Sequence, residues 1–137
     1  DHPEKSQEMP AVFVDSKYNK LVYYSGKEPW QNRGLDSVVP GWPNKRFKMT
    51  ESWAAYVDKG GYGIGMMSPV TKDFTAYRYI KNDKSGSRSE DCSYFTPLKK
   101  EKIQSGKPIT YDVFLTLGKI KSIRERFSEL NQNMKAK

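Results

Sequence analysis

The segment Thr50–Pro69, TESWAAYVDKGGYGIGMMSP, decides the fold class of this chain. Its first half alternates: Trp53, Ala55 and Val57 fall on one side of an extended backbone, and the residues between them fall on the other. An apolar pattern with a period of two is typical of a β-strand, because successive side chains of a strand point to opposite faces. The pattern therefore predicts a strand over Ser52–Asp58.

Two glycines follow, and they predict that the chain turns back on itself. Gly60 and Gly61 suit a tight turn, since glycine adopts positive φ at little cost. The segment Tyr62–Met67, YGIGMM, is then predicted to be the returning strand of a hairpin. Gly63 and Gly65 share one face of that strand, which indicates the close approach of another backbone or of a large ring.

Other segments rich in β-branched and aromatic residues predict further strands. These segments are Ala11–Asp15, Lys20–Ser25, Lys45–Thr50, Asp73–Ile80, Tyr94–Leu98 and Ile109–Leu117. A polar turn separates the first two, which predicts a hairpin, and the last is predicted to be the longest regular strand. The polar segment Lys81–Ser89 is predicted to be an exposed connection.

The hydrophobic period changes near the C-terminus. Apolar residues then recur every three or four positions, at Ile120, Ile123, Phe127, Leu130 and Met134. This spacing predicts an amphipathic helix, and the capping-box spacing of Ser122 and Glu125 predicts that the helix starts there. The predicted fold is therefore mainly β: a single antiparallel β-sandwich domain over residues 1–137 with one C-terminal amphipathic α-helix.

The chain carries a formal net charge of +8, and most of the excess is C-terminal. From Leu98 onward there are ten Lys and Arg against four Asp and Glu, whereas the preceding residues have fourteen against twelve. A solvated, Lys-rich face is one interpretation, and a surface that faces a polyanion is the other.

Composition argues against several classes of chemistry. Cys92 is the only cysteine and His2 is the only histidine. An internal disulfide is impossible, and a structural zinc site and a His-dependent nucleophile lack their residues. No metal and no cofactor is predicted. No apolar run approaches the roughly 18 residues that indicate a membrane span.

A pair of carboxylates is the remaining route to catalysis. Glycoside cleavage needs two carboxyl groups about 5–9 Å apart. Glu51 and Asp58 flank one predicted strand, which separates them by more than about 20 Å. A partner for either one would come from elsewhere in the chain, such as Asp36 or Asp112. The segment Tyr77-Arg78-Tyr79 contains residue types that a polysaccharide lyase uses, but alternating tyrosines on a strand more often pack against neighbouring strands. The sequence therefore identifies no residue as catalytic, and the catalytic residues of an enzyme of this kind are unknown.

The long loop Gly26–Asn44 favours ligand binding by aromatic rings. It contains two tryptophans, and exposed rings stack on the faces of sugars or of bases. The candidate ligand-binding residues are Trp30 and Trp42 as platforms, with Arg33, Lys45 and Arg78 as polar or charged partners. The alternative is that both indoles fold back as a lid on the core.

Four segments together resemble a β-sandwich region of large secreted bacterial proteins that are associated with polysaccharide breakdown. They are QEMPAVFV (Gln7–Val14), LVYYSGKEPW (Leu21–Trp30), TESWAAYVDKGGYGIGMMSP (Thr50–Pro69) and YDVFLTLGKIKSIRERFSEL (Tyr111–Leu130). The resemblance implies a secreted or periplasmic location, a glycan-related role, and a chain that is one module or fragment of a longer polypeptide.

The favoured hypothesis is a non-catalytic module that binds polysaccharide, neutral or anionic, or that supports a neighbouring catalytic domain. The first alternative is a glycoside hydrolase or polysaccharide lyase component that uses Glu51 or Asp58. The second alternative is single-stranded nucleic-acid binding by a basic, Tyr-rich sheet, which predicts binding that weakens steeply with salt.

Overall fold

A computed structural model describes residues 3–81 and 90–137 of the chain. Most of the segment predicted as an exposed polar connection, Lys81–Ser89, lies outside the described residues. The described residues form ten strands and one helix. They are β1 (Lys5–Glu8), β2 (Val12–Asp15), β3 (Lys20–Tyr23), β4 (Asp36–Val38), β5 (Lys45–Lys48), β6 (Trp53–Val57), β7 (Tyr62–Met67), β8 (Asp73–Tyr79), β9 (Cys92–Glu101), β10 (Phe114–Lys119) and α1 (Ile120–Lys135).

The strands form two antiparallel sheets, which confirms the predicted β-sandwich with a C-terminal helix. Sheet I has the order β10-β7-β6-β3-β4. Sheet II has the order β1-β9-β8-β5, and β2 also pairs with β9. The two short strands β1 and β2 share the long strand β9, because β1 pairs with its end and β2 with its beginning.

Sheet I is covered on both faces, and the sequence of β6 reflects this. Trp53, Ala55 and Val57 pack in one cluster with Ile123 and Phe127 of the helix. The intervening residues of β6 pack in a second cluster, with side chains from both sheets. All five residues of β6 are buried, as expected for a central strand between a helix and a second sheet.

The hairpin predicted over Thr50–Pro69 is confirmed. β6 and β7 pair antiparallel, and Gly61 between them has a φ of 75°. The two glycines of β7 are explained by neighbouring atoms that leave no room for a side chain at either position. A Cβ on Gly63 would strike the backbone of β6, and a Cβ on Gly65 would strike Ile123 and Phe127 of the helix. Helix α1 can therefore lie directly on the sheet.

Replacing Gly65 with Ala should lower the free energy of unfolding by about 1–3 kcal/mol, the usual cost of overpacking a core. The added Cβ would lie 2.5 Å from Cγ2 of Ile123 and 2.9 Å from Cε2 of Phe127. Urea unfolding measures the change. The control is Gly34→Ala, since no atom lies within 4 Å of a Cβ at that position. Equal stability of the two variants would contradict the packing of the helix described here.

The prediction that Ala11–Asp15 and Lys20–Ser25 form a hairpin is wrong. β2 pairs with β9 in sheet II, whereas β3 pairs with β4 and β6 in sheet I. The physical reason is burial. In β3 the neighbours Leu21 and Val22 are both buried on opposite faces, and sheet I accommodates this because it packs against side chains of sheet II on one face and against the helix on the other. In β2 burial alternates, as suits a strand at the edge of a sheet with one solvated face.

The long strand predicted over Ile109–Leu117 is also different in the structure. Pairing with β7 begins at Phe114, opposite Met67, where β7 ends, so β7 offers no partner to the residues before Phe114. Leu115 and Leu117, which share one face of the apolar pattern, are 59% and 58% exposed. They lie at an edge of sheet I, whereas Phe114 packs against the cluster beneath the helix.

Helix α1 begins at Ile120, so the predicted start at the Ser122–Glu125 capping box is wrong. Strand β10 passes into the helix without a loop, and Lys119 makes no side-chain cap. The turn between β6 and β7 supplies a partner instead, because the Ile120 amide donates to the carbonyl of Gly61 at 3.0 Å. The predicted apolar face of the helix is confirmed. In the part of the chain that the structure describes, no helix has the length and apolar character to cross a membrane.

Candidate ligand-binding surface

A row of aromatic side chains runs across the face of sheet II that points away from sheet I. Along β8 and β9 the residues Ala76 and Phe95 face the core, so the next residues, Tyr77 and Tyr94, face outward. Tyr94 pairs in register with Tyr77 on one side and with Phe13 on the other. The aromatic row consists of Phe13, Tyr94, Tyr77, Tyr79 and Trp42.

The rings of the aromatic row contact one another in sequence. Tyr77 and Tyr94 stack with ring centroids 4.6 Å apart, and Phe13 lies 4.8 Å from Tyr94. Trp42 stands nearly perpendicular to Tyr77 and Tyr79, at 4.9 Å and 5.9 Å. The two ends of the row stay accessible, since Trp42 is 63% exposed and Phe13 is 60% exposed. The result is two exposed aromatic side chains, Trp42 and Phe13, connected by the half-buried Tyr77 and Tyr79 and by the buried Tyr94.

The loop that carries Trp42 is anchored to sheet II on both sides of the indole. The amide of Arg78 in β8 donates to the carbonyl of Gly41 at 3.2 Å. The side-chain amide of Asn44 donates to Oγ1 of Thr75 at 2.9 Å. These bonds hold Trp42 in place without a ligand, so little conformational entropy is lost when a ligand binds.

Two acidic residues lie beside the aromatic row. The hydroxyl of Tyr94 donates to the carboxylate of Glu8 at 2.5 Å. Asp15 is in register with Cys92, which is in turn in register with Tyr79 at the end of the row. Carboxylates at this position repel an anionic ligand and accept hydrogen bonds from hydroxyl groups.

Burial and the neighbouring carboxylate keep the central tyrosine of the row neutral. Burial raises the pKa of Tyr94, and its hydrogen bond to Glu8 and the negative charge of Glu8 raise it further. Burial also raises the pKa of Tyr77, with smaller contributions from Cys92 and Glu8. Both phenols therefore remain protonated near neutral pH, and Tyr94 acts as the hydrogen-bond donor to Glu8.

Replacing Tyr94 with Phe should flatten the loss of stability at alkaline pH. In the unfolded chain a tyrosine releases its proton near its ordinary pKa of about 10. In the folded chain the pKa of Tyr94 is raised, so the stabilisation is complete below about pH 10 and declines as the pH rises further. Urea unfolding between pH 7 and pH 11 measures the slope. Parallel slopes for the variant and the wild type above pH 10 would contradict the assignment.

The structure distributes the five candidate residues over different places. Only Trp42 belongs to the aromatic row. Trp30 packs against the cluster beneath the helix, and Arg33 pairs with Glu28 on the surface at 2.9 Å. Lys45 and Arg78 are in register with core-facing positions, and Arg78 donates from Nε to the carbonyl of Ser16. The set therefore does not form one site.

Sequence reasoning did not identify Phe13 and Tyr94 as parts of a surface. The signal was present in part, because Thr75, Tyr77 and Tyr79 alternate on one face of a strand. The missing information was the pairing of β2 and β8 with β9, which brings three distant segments side by side.

Glu51, the candidate catalytic carboxylate, is fully buried, and both of its oxygens are engaged. Oε1 accepts hydrogen bonds from the Trp30 amide and from Nη2 of Arg124, at 2.8 Å and 2.7 Å. Oε2 accepts from Nε1 of Trp53 and Nε of Arg124, at 2.9 Å and 3.1 Å. Such a carboxylate has no free lone pair and no path to a substrate.

Asp58, the other candidate carboxylate, organises the hairpin turn. Its Oδ1 accepts hydrogen bonds from the amides of Gly60 and Tyr62, at 2.8 Å and 3.1 Å. This is the usual role of an aspartate in a tight turn, where the side chain satisfies backbone donors that the turn leaves unpaired. Both carboxylates therefore stabilise the fold, Asp58 within its own turn and Glu51 across distant segments.

Neither a cluster of metal-ligating side chains nor a similarity to a known protein points to a further site among the described residues. Among residues 3–81 and 90–137, no three His, Cys, Asp or Glu side chains are grouped so as to hold a metal ion. Comparison of the chain with family models, with curated proteins and with solved structures found no match.

Proposed function

We propose that this chain is a non-catalytic β-sandwich module that binds polysaccharide through the aromatic row. The observation that carries the proposal is the exposed indole of Trp42, held in place by its loop and braced by Tyr77 and Tyr79. An exposed aromatic residue that is already ordered supplies a large contact area at a small entropic cost.

The chemistry of the aromatic row favours neutral sugars. A sugar ring has apolar C–H faces that can lie on an indole or a phenyl ring, and hydroxyl groups around its edge that form hydrogen bonds. Trp42 and Phe13 offer the apolar contacts, and Glu8 offers carboxylate oxygens to hydroxyl donors. A uronic-acid or sulfated chain would meet the negative charge of Glu8 and Asp15, so we propose a neutral polysaccharide as the ligand.

Nucleic acid fits the aromatic row less well. Single-stranded nucleic acid requires cations beside the stacking rings. Of the C-terminal basic excess, Lys121, Arg124 and Arg126 lie on helix α1, which packs on sheet I. Lys99 and Lys100 lie in sheet II, but at the end of β9 that pairs with β1, whereas Tyr94 lies in the part that pairs with β2 and β8. The resemblance noted in the sequence supports a glycan-related role, a secreted or periplasmic location and a longer parent protein, and all three remain part of the proposal.

Affinity electrophoresis tests the proposal. The wild-type chain is run through native gels that contain single polysaccharides: neutral glucans, xylans and mannans, and acidic pectate and alginate. We expect retardation by at least one neutral polysaccharide, with little change between 50 mM and 500 mM NaCl. Failure of every polysaccharide to retard the chain would contradict the proposal. Binding that is confined to acidic polymers or to oligonucleotides and collapses with salt would indicate the polyanion alternative instead.

A further inference from the structure

Helix α1 and the loop that follows Pro29 face each other on the other side of the molecule. A cavity of about 500 Å³ opens there to solvent. Its apolar wall comes from Trp30, Leu35 and Ile120. A volume of this size, with an aromatic wall and a few polar groups, is typical of small-molecule sites. The cavity is separate from the aromatic row, since α1 packs on sheet I and the row lies on sheet II.

The backbone beside this cavity is held in an uncommon conformation. Trp30 and Asn32 have positive φ values of 65° and 53°, although neither is glycine. Ser52, next to Glu51, has a φ of 59°. Non-glycine residues in this region cost free energy, and they cluster at ligand sites where surrounding contacts hold them in place. These are the three positive-φ residues other than glycine in the part of the chain that the structure describes.

The buried ion pair holds the wall of the cavity in place. The amide of Trp30 donates to Glu51, and Arg124, which lines the cavity, binds the same carboxylate. Arg124 also donates from Nη1 to the carbonyl of Arg33 at 2.5 Å, so the loop is tied to the helix on both sides of Asn32. The cavity is therefore formed before any ligand binds.

The polar lining of the cavity indicates which ligand it would take. Asn32, Ser128 and Gln132 offer amide and hydroxyl groups. Arg124 is neutralised by Glu51, and Lys121 lies 4.0 Å from Glu125, which leaves Glu129 as the remaining charge of the lining. An anion would gain little here. A neutral ring with one apolar face and several hydroxyl groups would use both the indole and the polar rim.

We infer that this cavity binds one end or a short stretch of a neutral saccharide, as a second site beside the aromatic row. The class of ligand in this inference rests on the proposed function, whereas the place of binding rests on the cavity itself. Two sites on opposite layers would let one chain hold two polysaccharide strands, or two parts of one strand.

The test uses the indole Nε1–H resonance of Trp30 in the Phe13→Ala/Trp42→Ala variant, whose aromatic row is disabled. Neutral di- to hexasaccharides of glucose, xylose and mannose are titrated to millimolar concentration. We expect at least one of them to shift the Trp30 resonance saturably. The shift should disappear on adding Glu129→Ala/Gln132→Ala, both at exposed positions that leave the core untouched.

An unchanged Trp30 resonance with every saccharide would overturn the inference, and so would a shift that survives Glu129→Ala/Gln132→Ala. These results are distinct from failure of the proposed function. If the wild type binds saccharide and the Phe13→Ala/Trp42→Ala variant does not, the aromatic row is the binding surface and the cavity is not a site. If only the Trp30 resonance responds in the wild type, the cavity binds saccharide and the aromatic row does not.

Discussion

Glu51→Gln should lower the free energy of unfolding by about 3–5 kcal/mol, the cost of breaking a buried ion pair on one side. The substitution leaves the guanidinium of Arg124 partly buried without its counter-charge, and the side-chain amide presents donors where Trp53 and the Trp30 amide also donate. Urea unfolding measures the loss. It is large because this one carboxylate joins the hairpin, the loop before β4 and helix α1.

The matched control is Glu28→Ala. Glu28 also pairs with an arginine, Arg33, but both side chains are more than half exposed. Exposed pairs contribute about 0–1 kcal/mol, so this variant should remain close to the wild type in stability. A double variant, Glu51→Gln/Arg124→Met, removes both charges but keeps a side-chain oxygen at position 51 as an acceptor, so it should be more stable than Glu51→Gln. A loss below about 1 kcal/mol for Glu51→Gln would contradict a structural role for Glu51.

Trp42→Ala should weaken binding of a neutral polysaccharide by about 30-fold or more, which corresponds to about 2 kcal/mol for a central aromatic contact. Trp42 is exposed, so its removal should leave the free energy of unfolding nearly unchanged. The measurement is the dissociation constant from affinity electrophoresis at several polysaccharide concentrations. Phe13→Ala should act in the same direction with a smaller effect, because it removes the smaller ring.

Tyr62→Ala serves as the control for a nonspecific effect of removing a ring. Tyr62 is also exposed, but it belongs to β7 in sheet I, away from the aromatic row. The dissociation constant of the Tyr62→Ala variant for the neutral polysaccharide should match that of the wild type. Equal weakening by Trp42→Ala and Tyr62→Ala would show that the aromatic row has no specific role.

The parts of the fold that followed from sequence are those in which local pattern and burial agree. The β6–β7 hairpin is one example, because the alternation, the turn glycines and the two small residues of β7 all indicate the same structure. The apolar face of α1 is another. Both depend on contacts within a short segment or on a single period, which a sequence displays directly.

The errors arose where distant segments decide the structure. β2 and β3 are neighbours in sequence but belong to different sheets, and β9 runs for ten residues because it has partners on both sides. The segment before Phe114 has a strand-like pattern, but its neighbour β7 ends opposite Phe114. Pairing choices of this kind are non-local, and periodicity carries no information about them.

The non-local choice of strand partners also explains which residues of the candidate surface could be predicted from the sequence and which could not. Trp42 was identified because a tryptophan in a Gly- and Pro-rich loop is a plausible surface ring, and the structure exposes it. Phe13 and Tyr94 become its neighbours only through the register of three strands. Glu51 was a candidate because it is one of two carboxylates that flank a predicted strand, whereas its actual partner, Arg124, lies seventy-three residues away on the helix.

The most direct test of the central claim uses the indole Nε1–H resonances of the tryptophans in the wild-type chain. The ligand is a neutral hexasaccharide from the polysaccharide that retards the chain in affinity electrophoresis, and the measurement is the shift of each resonance during titration. Trp53 serves as an internal reference, since its indole is buried and bonded to Glu51. Binding at the aromatic row predicts a saturable shift of the Trp42 resonance with no shift for Trp53, at both low and high salt. A Trp42 resonance that stays unchanged while the saccharide binds would contradict the account.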